Sequence, residues 1–319
     1  MEEIKRSLFR RLKEGDKNIL LFGPRQVGKS TLCRSLKPDL TVNLADEASY
    51  LSYSKDASRI KREVSALTRP SSIFIDEVQR VPALLNTIQS ILDDSKRHRF
   101  ILTGSSARKL KRGGANLLPG RVLLEHLDAL SIKELGGRFD LEKALRVGTL
   151  PGIYLDDKDG PAILETYAST YLREEIQAEA LSKNLGAYAR FLDLAALTSG
   201  QWVNYSKMAS DAEIAKETIR RFYSILEETL VALRLPPFRP RKASRHVSQR
   251  ERFIIFDVGV RNAILGIHRH PLSPTEVGGV FEQWFILQCL YLIHADKKPY
   301  TLSSYRTDAG AEVDLVLQR

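Results

Sequence analysis

At 319 residues the chain is long enough for two or three domains, and its 43% hydrophobic and 28% charged residues are typical of a soluble globular protein. No apolar run approaches the roughly 18–20 residues of a membrane-spanning helix, and the start of the chain carries acidic residues, so we expect neither a membrane span nor a signal peptide. The 49 basic and 39 acidic residues give a net charge of +10, which favours a polyanionic partner, nucleic acid before an anionic membrane.

Only two cysteines are present, Cys33 and Cys289, and they lie far apart in segments with a helical pattern. We therefore expect no disulfide and a location in the reducing cytoplasm. The six histidines form no convincing set of metal ligands.

The first part of the chain has the pattern of a parallel α/β sheet. A short helix is predicted at the start, because Ile4, Leu8 and Leu12 share one helical face. From residue 16 to about 136, short apolar runs alternate with helical segments, as in a parallel sheet. We expect strands at 18–23, 40–45, 72–77, 99–104 and 121–127, with helices after Lys29, over 48–67 and over 82–94.

The first predicted strand runs into an unbroken match to G-x-x-x-x-G-K-[ST] at residues 23–30. Glycines at this spacing let the backbone fold back, so that several N–H groups point at one anion. The pattern predicts that Lys29 reaches the β- and γ-phosphates of a nucleotide and that the Ser30 hydroxyl holds Mg²⁺. The alternative is a chance glycine-rich turn, but the flanking strand and helix favour phosphate binding. The residues predicted to bind ATP are Gly23, Pro24, Arg25, Gln26, Val27, Gly28, Lys29, Ser30 and Thr31.

Two further predicted strands end in polar residues. SSIFIDEVQR ends in Asp76, predicted to serve the Mg²⁺ site, and Glu77, predicted to orient and polarise the attacking water. An Asp-Glu pair in this position is usually a solvated turn, but after a phosphate loop it is the expected partner. RFILTGSS ends in Thr103, Ser105 and Ser106, and we predict that Thr103 senses the γ-phosphate; a simple polar turn is the alternative. The carboxyl ends of parallel strands share one edge, so these motifs should meet.

The segment ARKLKRGGANLLPGR, between the fourth and fifth strands, is rich in Lys, Arg and Gly. Two functional interpretations compete: contact with nucleic acid, and contact with the nucleotide of a neighbouring subunit. Arg121 is the first candidate for an arginine that acts in trans on a γ-phosphate, and Arg80 is the second, because such a cation stabilises charge that develops during transfer. A solvated basic loop is the alternative.

The middle of the chain becomes helical. Residues 138–186 are predicted to form a lid or spacer with a long helix after Pro161. Residues 187–250 predict a winged helix-turn-helix, with three helices and then a strand. In the third helix the side chains predicted to pack inward are Ile214, Ile219, Phe222, Ile225 and Leu226. The turn before it has Ala212-Glu213 in place of the usual glycine.

Basic residues cluster around this predicted domain. Near the start of its third helix, Lys216, Arg220 and Arg221 are candidates for a DNA groove or phosphates, although winged helices also contact proteins. The run FRPRKASRHVSQRER (238–252) is the densest basic segment of the chain. Its functional interpretation is a phosphate-contacting wing or linker, and the alternative is a solvated loop. The phosphate-contact candidates in it are Arg241, Lys242 and Arg245.

The last segment, residues 251–319, predicts an apolar helix and two strands. Glu282 on the helix and Asp314 on the second strand match part of a metal-dependent nuclease fold, in which a later Glu-x-Lys completes the site. The chain stops at Arg319, before any such Glu-x-Lys. We therefore expect a partial endonuclease-like α/β tail with no nuclease activity.

Several segments together resemble a family of AAA-like P-loop ATPases of bacteria and archaea that carry a carboxy-terminal domain of unknown function. They are GPRQVGKST, IFIDEVQR, ILTGSS, LPGR, GTLPG and YLREEI, joined by FEQW and AEVDLVL in the tail. The resemblance implies ATP and Mg²⁺ as cofactors and assembly into a homo-oligomeric ring. It does not fix a substrate.

The resulting hypothesis is an α/β P-loop ATPase domain at 1–137, followed by the lid at 138–186, the winged helix at 187–250 and the tail at 251–319. The leading function is Mg²⁺-dependent ATP hydrolysis coupled to DNA binding, remodelling or translocation by an oligomer. The alternative is an ATP-gated switch whose winged helix binds a protein partner.

Overall fold

The structure, a computed structural model, describes residues 4–105, 118–171, 185–239, 248 and 250–319. The chain divides into two compact units, Met1–Asp128 and Ala129–Arg319. The division falls before residue 137, where the first predicted domain ends, and the three later predicted domains share the second unit. The predicted residues Ser106, Arg241, Lys242 and Arg245 lie outside the described part of the chain.

The first unit is built on a five-stranded parallel sheet, which confirms the predicted α/β class. Its strands stand in the order β2-β3-β4-β1-β5, so β4 is inserted between β1 and β3. Strands β1, β3 and β4 are buried almost throughout, which explains their unbroken apolar runs. The strands are β1 (Asn18–Phe22), β2 (Leu40–Asn43), β3 (Ser72–Asp76), β4 (Arg99–Gly104) and β5 (Val122–His126), each within two residues of its predicted bounds.

Five α-helices are described in the first unit: α1 (Leu8–Glu14), α2 (Lys29–Ser35), α3 (Glu47–Lys55), α4 (Arg59–Ser65) and α5 (Ala83–Asp94). The helical segment predicted over 48–67 consists of two helices, because the chain breaks between α3 and α4. There Asp56 accepts hydrogen bonds from the backbone N–H and the hydroxyl of Ser58, a local alternative to continued helix. Leu8 and Leu12 are buried as predicted, but Ile4 lies before α1 begins.

The second unit is mainly helical, with two small antiparallel sheets. Its described helices are α6 (Ile132–Leu135), α7 (Leu141–Val147), α8 (Pro151–Tyr154), α9 (Gly160–Thr166), α10 (Leu185–Leu197), α11 (Tyr205–Ala212), α12 (Lys216–Glu228), α13 (Val258–Ile264) and α14 (Pro274–Asp296). A π-helical turn, Tyr167–Tyr171, continues α9. Strand β6 (Ala232–Leu235) pairs with β7 (Arg252–Ile255), and β8 (Thr301–Arg306) pairs with β9 (Glu312–Gln318).

Helices α10, α11 and α12 lead into the β6–β7 hairpin, the element order expected of a winged helix. The buried face of α12 carries Ile219, Phe222, Ile225 and Leu226 as predicted, whereas Ile214 lies before the helix. In the turn, Glu213 takes the left-handed conformation (φ +56°) that a glycine would adopt more easily. The identity of this region as a winged helix-turn-helix stays a prediction.

Candidate active site

The phosphate-loop motif forms a tight turn between β1 and α2. Gly28 has a φ of +91° and Gln26 a φ of +62°, so two residues of the loop are left-handed. Gly23 packs so closely on the chain after β5 that a Cβ there would lie 2.1 Å from the carbonyl oxygen of Leu127. Gly23 is therefore required by the close approach of the Leu127 carbonyl, and Gly28 by its left-handed backbone conformation. A loop of this kind gathers backbone N–H donors into an anion-binding concavity.

Lys29 is held against this loop. Its side chain is buried, and Nζ donates to the carbonyl oxygens of Gly23 and Pro24, each at 2.8 Å. An ammonium group in this position lies within the same turn as the backbone donors. Lys29 and the loop together thus present positive charge to one small volume, which is the donor set that phosphate oxygens require.

Asp76 and Thr103 join the ends of two neighbouring strands. Both side chains are buried, and the Thr103 hydroxyl donates to Asp76 Oδ1 at 2.6 Å. The same hydroxyl oxygen accepts the backbone N–H of Glu77 at 3.0 Å. In the register of the sheet Thr103 also lies opposite Leu21 of β1, so it stands between the strand that leads to the loop and the strand that carries the acids. Its predicted role as a γ-phosphate sensor stays a prediction, because its described contacts are to the acids.

Glu77 follows β3 with a left-handed backbone (φ +58°), and its side chain is half-buried. One carboxylate oxygen accepts from Gln79 Nε2 and from the hydroxyl of Ser105, the latter at 3.2 Å. Glu77 is therefore fixed at its backbone by Thr103 and at its carboxylate by Gln79 and Ser105. Neither Gln79 nor Ser105 is among the predicted site residues, although Ser105 belongs to the polar end of the fourth predicted strand.

The residues around Lys29 and Asp76 suit Mg²⁺, which prefers oxygen ligands. The half-buried Ser30 hydroxyl and the Asp76 carboxylate are the protein oxygens available to it, together with nucleotide phosphates. Across the described part of the chain, no three His, Cys, Asp or Glu side chains cluster as a separate metal site. Burial and the charge of Asp76 raise the pKa of Cys33 on α2 to about 12, against the opposing effect of Lys29, so this neighbour is an inert thiol.

Arg6, which sequence analysis did not single out, braces the loop. Its guanidinium donates to the carbonyl oxygen of Val27 at 2.6 Å and to that of Asp128 at 2.7 Å. It therefore ties the phosphate loop to the segment that follows β5. No local pattern in the sequence reveals this role, since Asp128 lies far along the chain.

The two candidate trans-acting arginines make contacts inside the first unit. Arg80 donates to the carbonyl oxygens of Leu44 and Ala45 and pairs with Glu47 at 3.0 Å. Arg121 forms two bonds with the carboxylate of Asp93, at 2.7 and 3.0 Å, and this pairing raises the pKa of its guanidinium.

Arg121 also directly precedes β5, whose first residue, Val122, lies opposite Asn18 at the start of β1. It thus lies at the sheet edge opposite the phosphate loop. Its predicted action in trans on the nucleotide of a neighbouring subunit stays a prediction.

Three of the predicted DNA contacts can be placed in the second unit. Lys216, Arg220 and Arg221 are exposed at the start of α12, as the inward packing of the helix required. Arg220 is partly engaged, because its guanidinium lies 4.5 Å from the ring of Tyr205.

Arg252 lies between Glu282 and Asp314, the two acids that match part of a metal-dependent nuclease site. It was expected in the exposed basic run, but it is buried at 3% exposure. Its guanidinium pairs with Glu282 and donates to the carbonyl oxygens of Gly200 (2.5 Å) and Asp314 (3.1 Å). The Asp314 carboxylate lies 3.7 Å away. The two acids do come together as predicted, but around an arginine.

The segment GTLPG also receives a structural explanation. Asp257, fully buried, accepts backbone N–H groups from Thr149 (2.8 Å), Gly259 (2.9 Å) and Val260 (3.1 Å). A Cβ on Gly148 would lie 1.8 Å from its carboxylate. Burial raises the pKa of Asp257 to about 6, while the three N–H groups oppose the rise. This motif is thus a clamp between α7 and α13.

Two family models match the chain in succession. Residues 15–136 match the model described as an AAA domain, and residues 138–270 match a domain of unknown function (DUF8612). Together with the parallel sheet and the phosphate loop, these matches show an AAA-like P-loop domain followed by a domain of unknown function.

The chain is similar to curated proteins whose names describe them as uncharacterised. One from Mycobacterium tuberculosis is 28% identical over 307 residues, which cover 94% of this chain and 67% of the relative. One from Methanocaldococcus jannaschii is 25% identical over 365 residues, which cover 95% of this chain and 74% of the relative. The chain therefore spans about two thirds to three quarters of the length of these relatives.

Solved structures show weaker likeness. A signal transduction ATPase with numerous domains and a tetratricopeptide repeat sensor, from Pyrococcus horikoshii, is 13% identical with a TM-score of 0.30, over 92% of this chain and 47% of that one. DnaA from Aquifex aeolicus, bound to AMPPCP, is 13% identical with a TM-score of 0.28, over 69% and 85%. These TM-scores are too low to establish a shared overall fold. No helix in the described segments is long and apolar enough to cross a bilayer.

Proposed function

We propose that the first unit hydrolyses ATP to ADP and phosphate with the aid of Mg²⁺. The observation that carries this proposal is the bond between Thr103 and Asp76. It links the acids at the end of β3 to β4, which is the neighbour of the strand that leads into the phosphate loop. The phosphate-binding groups and the acids therefore share one edge of the sheet. The match of residues 15–136 to an AAA domain supports the same conclusion.

Each group has a distinct task in this reaction. Lys29 and the loop amides bind the β- and γ-phosphates, while Ser30 and Asp76 hold Mg²⁺. Mg²⁺, when bound, neutralises charge on the phosphates. Glu77 accepts a proton from the attacking water while the water oxygen forms a bond to the γ-phosphorus. The bond between the γ-phosphorus and the ADP oxygen breaks in the same step. Removal of that proton makes the water a better nucleophile.

Steady-state ATP hydrolysis by the full chain, with and without Mg²⁺, tests the proposal. Lys29→Ala should abolish turnover, and Glu77→Gln should bind ATP but hydrolyse it at least about 100-fold more slowly. Lys17→Ala and Glu14→Gln change exposed residues of the same types and serve as matched controls. Undiminished turnover in Lys29→Ala would refute the phosphate-loop assignment, and undiminished turnover in Glu77→Gln would remove that acid from its role.

We also propose that hydrolysis is coupled to DNA in a homo-oligomer, through the exposed Lys216, Arg220 and Arg221. The net charge of +10 supports a polyanionic partner. The same assay with single-stranded, duplex and branched DNA, combined with light scattering, tests both statements. If four to six cations among these three and the basic run with Arg241, Lys242 and Arg245 neutralise phosphates, log affinity should fall against log salt with a slope on the order of −4 to −5.

The second candidate is an ATP-gated switch that binds a protein. The exposed side chains Val277, Phe281 and Phe285, spaced along one face of α14, favour it, because an apolar face of this kind is typical of protein contacts. ATP binding without any DNA binding at low salt would support the switch. Stimulation of hydrolysis by DNA would support the DNA-coupled ATPase.

A further inference from the structure

Gln79 is a buried polar residue that contacts one of the two acids, Glu77. It lies in the short 3₁₀ turn Val78–Arg80, directly after Glu77, and is 3% exposed. Its Nε2 donates to a carboxylate oxygen of Glu77 and to Ser105 Oγ, the latter at 3.0 Å. Since the Ser105 hydroxyl donates to the same oxygen of Glu77, the three side chains form a closed triangle.

The other end of the Gln79 carboxamide has no partner. Its Oε1 is buried, and no group in the described parts of the chain donates to it. Rotation of the carboxamide by half a turn would not relieve this, because Oε1 would then face the carboxylate of Glu77. The acid therefore dictates the orientation of the amide. An unpaired buried oxygen costs free energy that an apolar side chain of the same length would not, so the residue calls for a role beyond packing.

Gly104 at the end of β4 makes room for this arrangement. A Cβ on Gly104 would lie 3.2 Å from Gln79 Oε1 and 3.3 Å from the ring of Phe22. Phe22 is the residue that leads into the phosphate loop and lies opposite Gly104 in the sheet. The carboxamide thus spans from the hydrolytic acid towards the strand that carries the loop.

We propose that Gln79 is a positioning residue that, with Ser105, sets the direction of the Glu77 carboxylate towards the attacking water. The backbone of Glu77 is already fixed by Thr103, which leaves only the side-chain torsions free. The Gln79–Ser105 pair removes that freedom, so the acid is held ready before the reaction begins. This inference rests on the proposed ATP hydrolysis.

The test compares kcat and KM for ATP in Gln79→Met, which keeps the length of the side chain and removes its donors. We expect kcat to fall about 10- to 100-fold with KM changed less than about threefold, because phosphate binding does not involve Gln79. Ser105→Ala should lower kcat less, since the direct bond from Gln79 to Glu77 remains, whereas Gln79→Met removes the donor to both Glu77 and Ser105. Gly104→Ala should lower it by pressing on the carboxamide from β4, and it decides the matter if Gln79→Met does not fold.

The double variant Gln79→Met with Glu77→Gln separates positioning from packing. If Gln79 acts through the acid, adding Gln79→Met to Glu77→Gln should lower the residual rate by less than about twofold. A full additional loss there, or an unchanged kcat in both Gln79→Met and Gly104→Ala, would overturn the inference. Gln89→Met, the same change on the half-buried face of α5, is the control and should leave kcat unchanged.

The proposed function can fail separately. If Lys29→Ala abolishes turnover and Glu77→Gln slows it at least about 100-fold, while Gln79→Met and Gly104→Ala keep the wild-type kcat, hydrolysis stands and only the positioning role is lost. If the wild-type chain does not hydrolyse ATP, the proposed function fails and this inference falls with it.

Discussion

Each of the two units holds acidic side chains against a partner from another element, but the partners differ. In the first unit Asp76 is held by a neutral donor, the Thr103 hydroxyl, with the Arg34 guanidinium 3.7 Å away and largely exposed. In the second unit Glu282 and Asp314 meet a buried guanidinium, that of Arg252.

The difference decides what each cluster can bind. A carboxylate held by a hydroxyl keeps most of its negative charge for an incoming cation, whereas one paired with arginine does not. The first cluster is therefore suited to Mg²⁺ and the second to holding α14, β7 and β9 together. Proximity of acids alone would not distinguish the two.

Removal of Arg252 should have the largest effect on stability. Arg252→Met leaves Glu282 without its partner and the carbonyl oxygens of Gly200 and Asp314 without a donor, which should lower the free energy of unfolding by about 3–5 kcal/mol. Both tryptophans, Trp202 and Trp284, lie in the second unit, so urea unfolding followed by tryptophan fluorescence reports on it.

The matched control for this change is Arg250→Met, an exposed arginine two residues away, which should change stability by less than about 0.5 kcal/mol. Arg252→Met combined with Glu282→Met should recover part of the loss, because no charge is then left unpaired. A loss as small as that of the control would mean that the cluster does not hold the second unit together.

Asp257 extends the comparison to a carboxylate that no cation in the described residues approaches. Its effect on the free energy of unfolding should lie between those of Arg252 and Arg34. Its folded pKa of about 6 lies above the unfolded value of 3.8, so the folded state binds the proton more tightly. The contribution is therefore fully present below about pH 4 and is lost as pH rises through 6, by roughly 3 kcal/mol in total.

The measurement is the difference in free energy of unfolding between wild type and Asp257→Asn from pH 4 to pH 7, again by tryptophan fluorescence. Asparagine does not titrate, so other groups cancel in the difference. We expect the wild type to lose stability relative to the variant as pH rises. A flat difference would show that the three backbone N–H groups balance burial, and a difference that rises with pH would show that they outweigh it.

Arg34 should show the smallest effect. Its pair with Asp76 is long at 3.7 Å and its side chain is 56% exposed, so Arg34→Met should change the free energy of unfolding by less than about 0.5 kcal/mol. ATP turnover should change less than about threefold, because Thr103 sets the orientation of Asp76. Urea unfolding followed by circular dichroism measures the change in the free energy of unfolding, and the hydrolysis assay measures the change in turnover. A loss comparable to that of Arg252→Met would contradict the distinction between the two clusters.

Much of the first unit was predictable because its signals are local. Each core strand is a short apolar run, and the phosphate loop has a fixed spacing of glycines and lysine. The break between α3 and α4 was missed, since the bonds of Asp56 to Ser58 compete with the helix over only three residues. The turn before α12 has no glycine, and Glu213 adopts the left-handed conformation there, which its residue type does not indicate.

The supporting residues of the site were not predictable in the same way. Arg6 acts on Val27 and Asp128, and Thr103 acts on Asp76, across long stretches of chain that only the folded sheet brings together. Arg252 sits at the start of an apolar strand, FIIF, which was a clue that it would be buried rather than exposed with its basic neighbours. Gln79 lies two residues after Glu77, but no sequence pattern indicates that its side chain donates back to the Glu77 carboxylate.

The insertion of β4 between β1 and β3 has a consequence for how the chain acquires its activity. Strand β1 finds its hydrogen-bonding neighbours only in β4 and β5, which are synthesised long after it, so most of the sheet's pairings are between distant segments. Such a topology folds slowly and late. On the ribosome, a nascent chain that has not yet exposed residue 126 should retain no ATP, and nucleotide capture would then mark the moment when the first unit is complete.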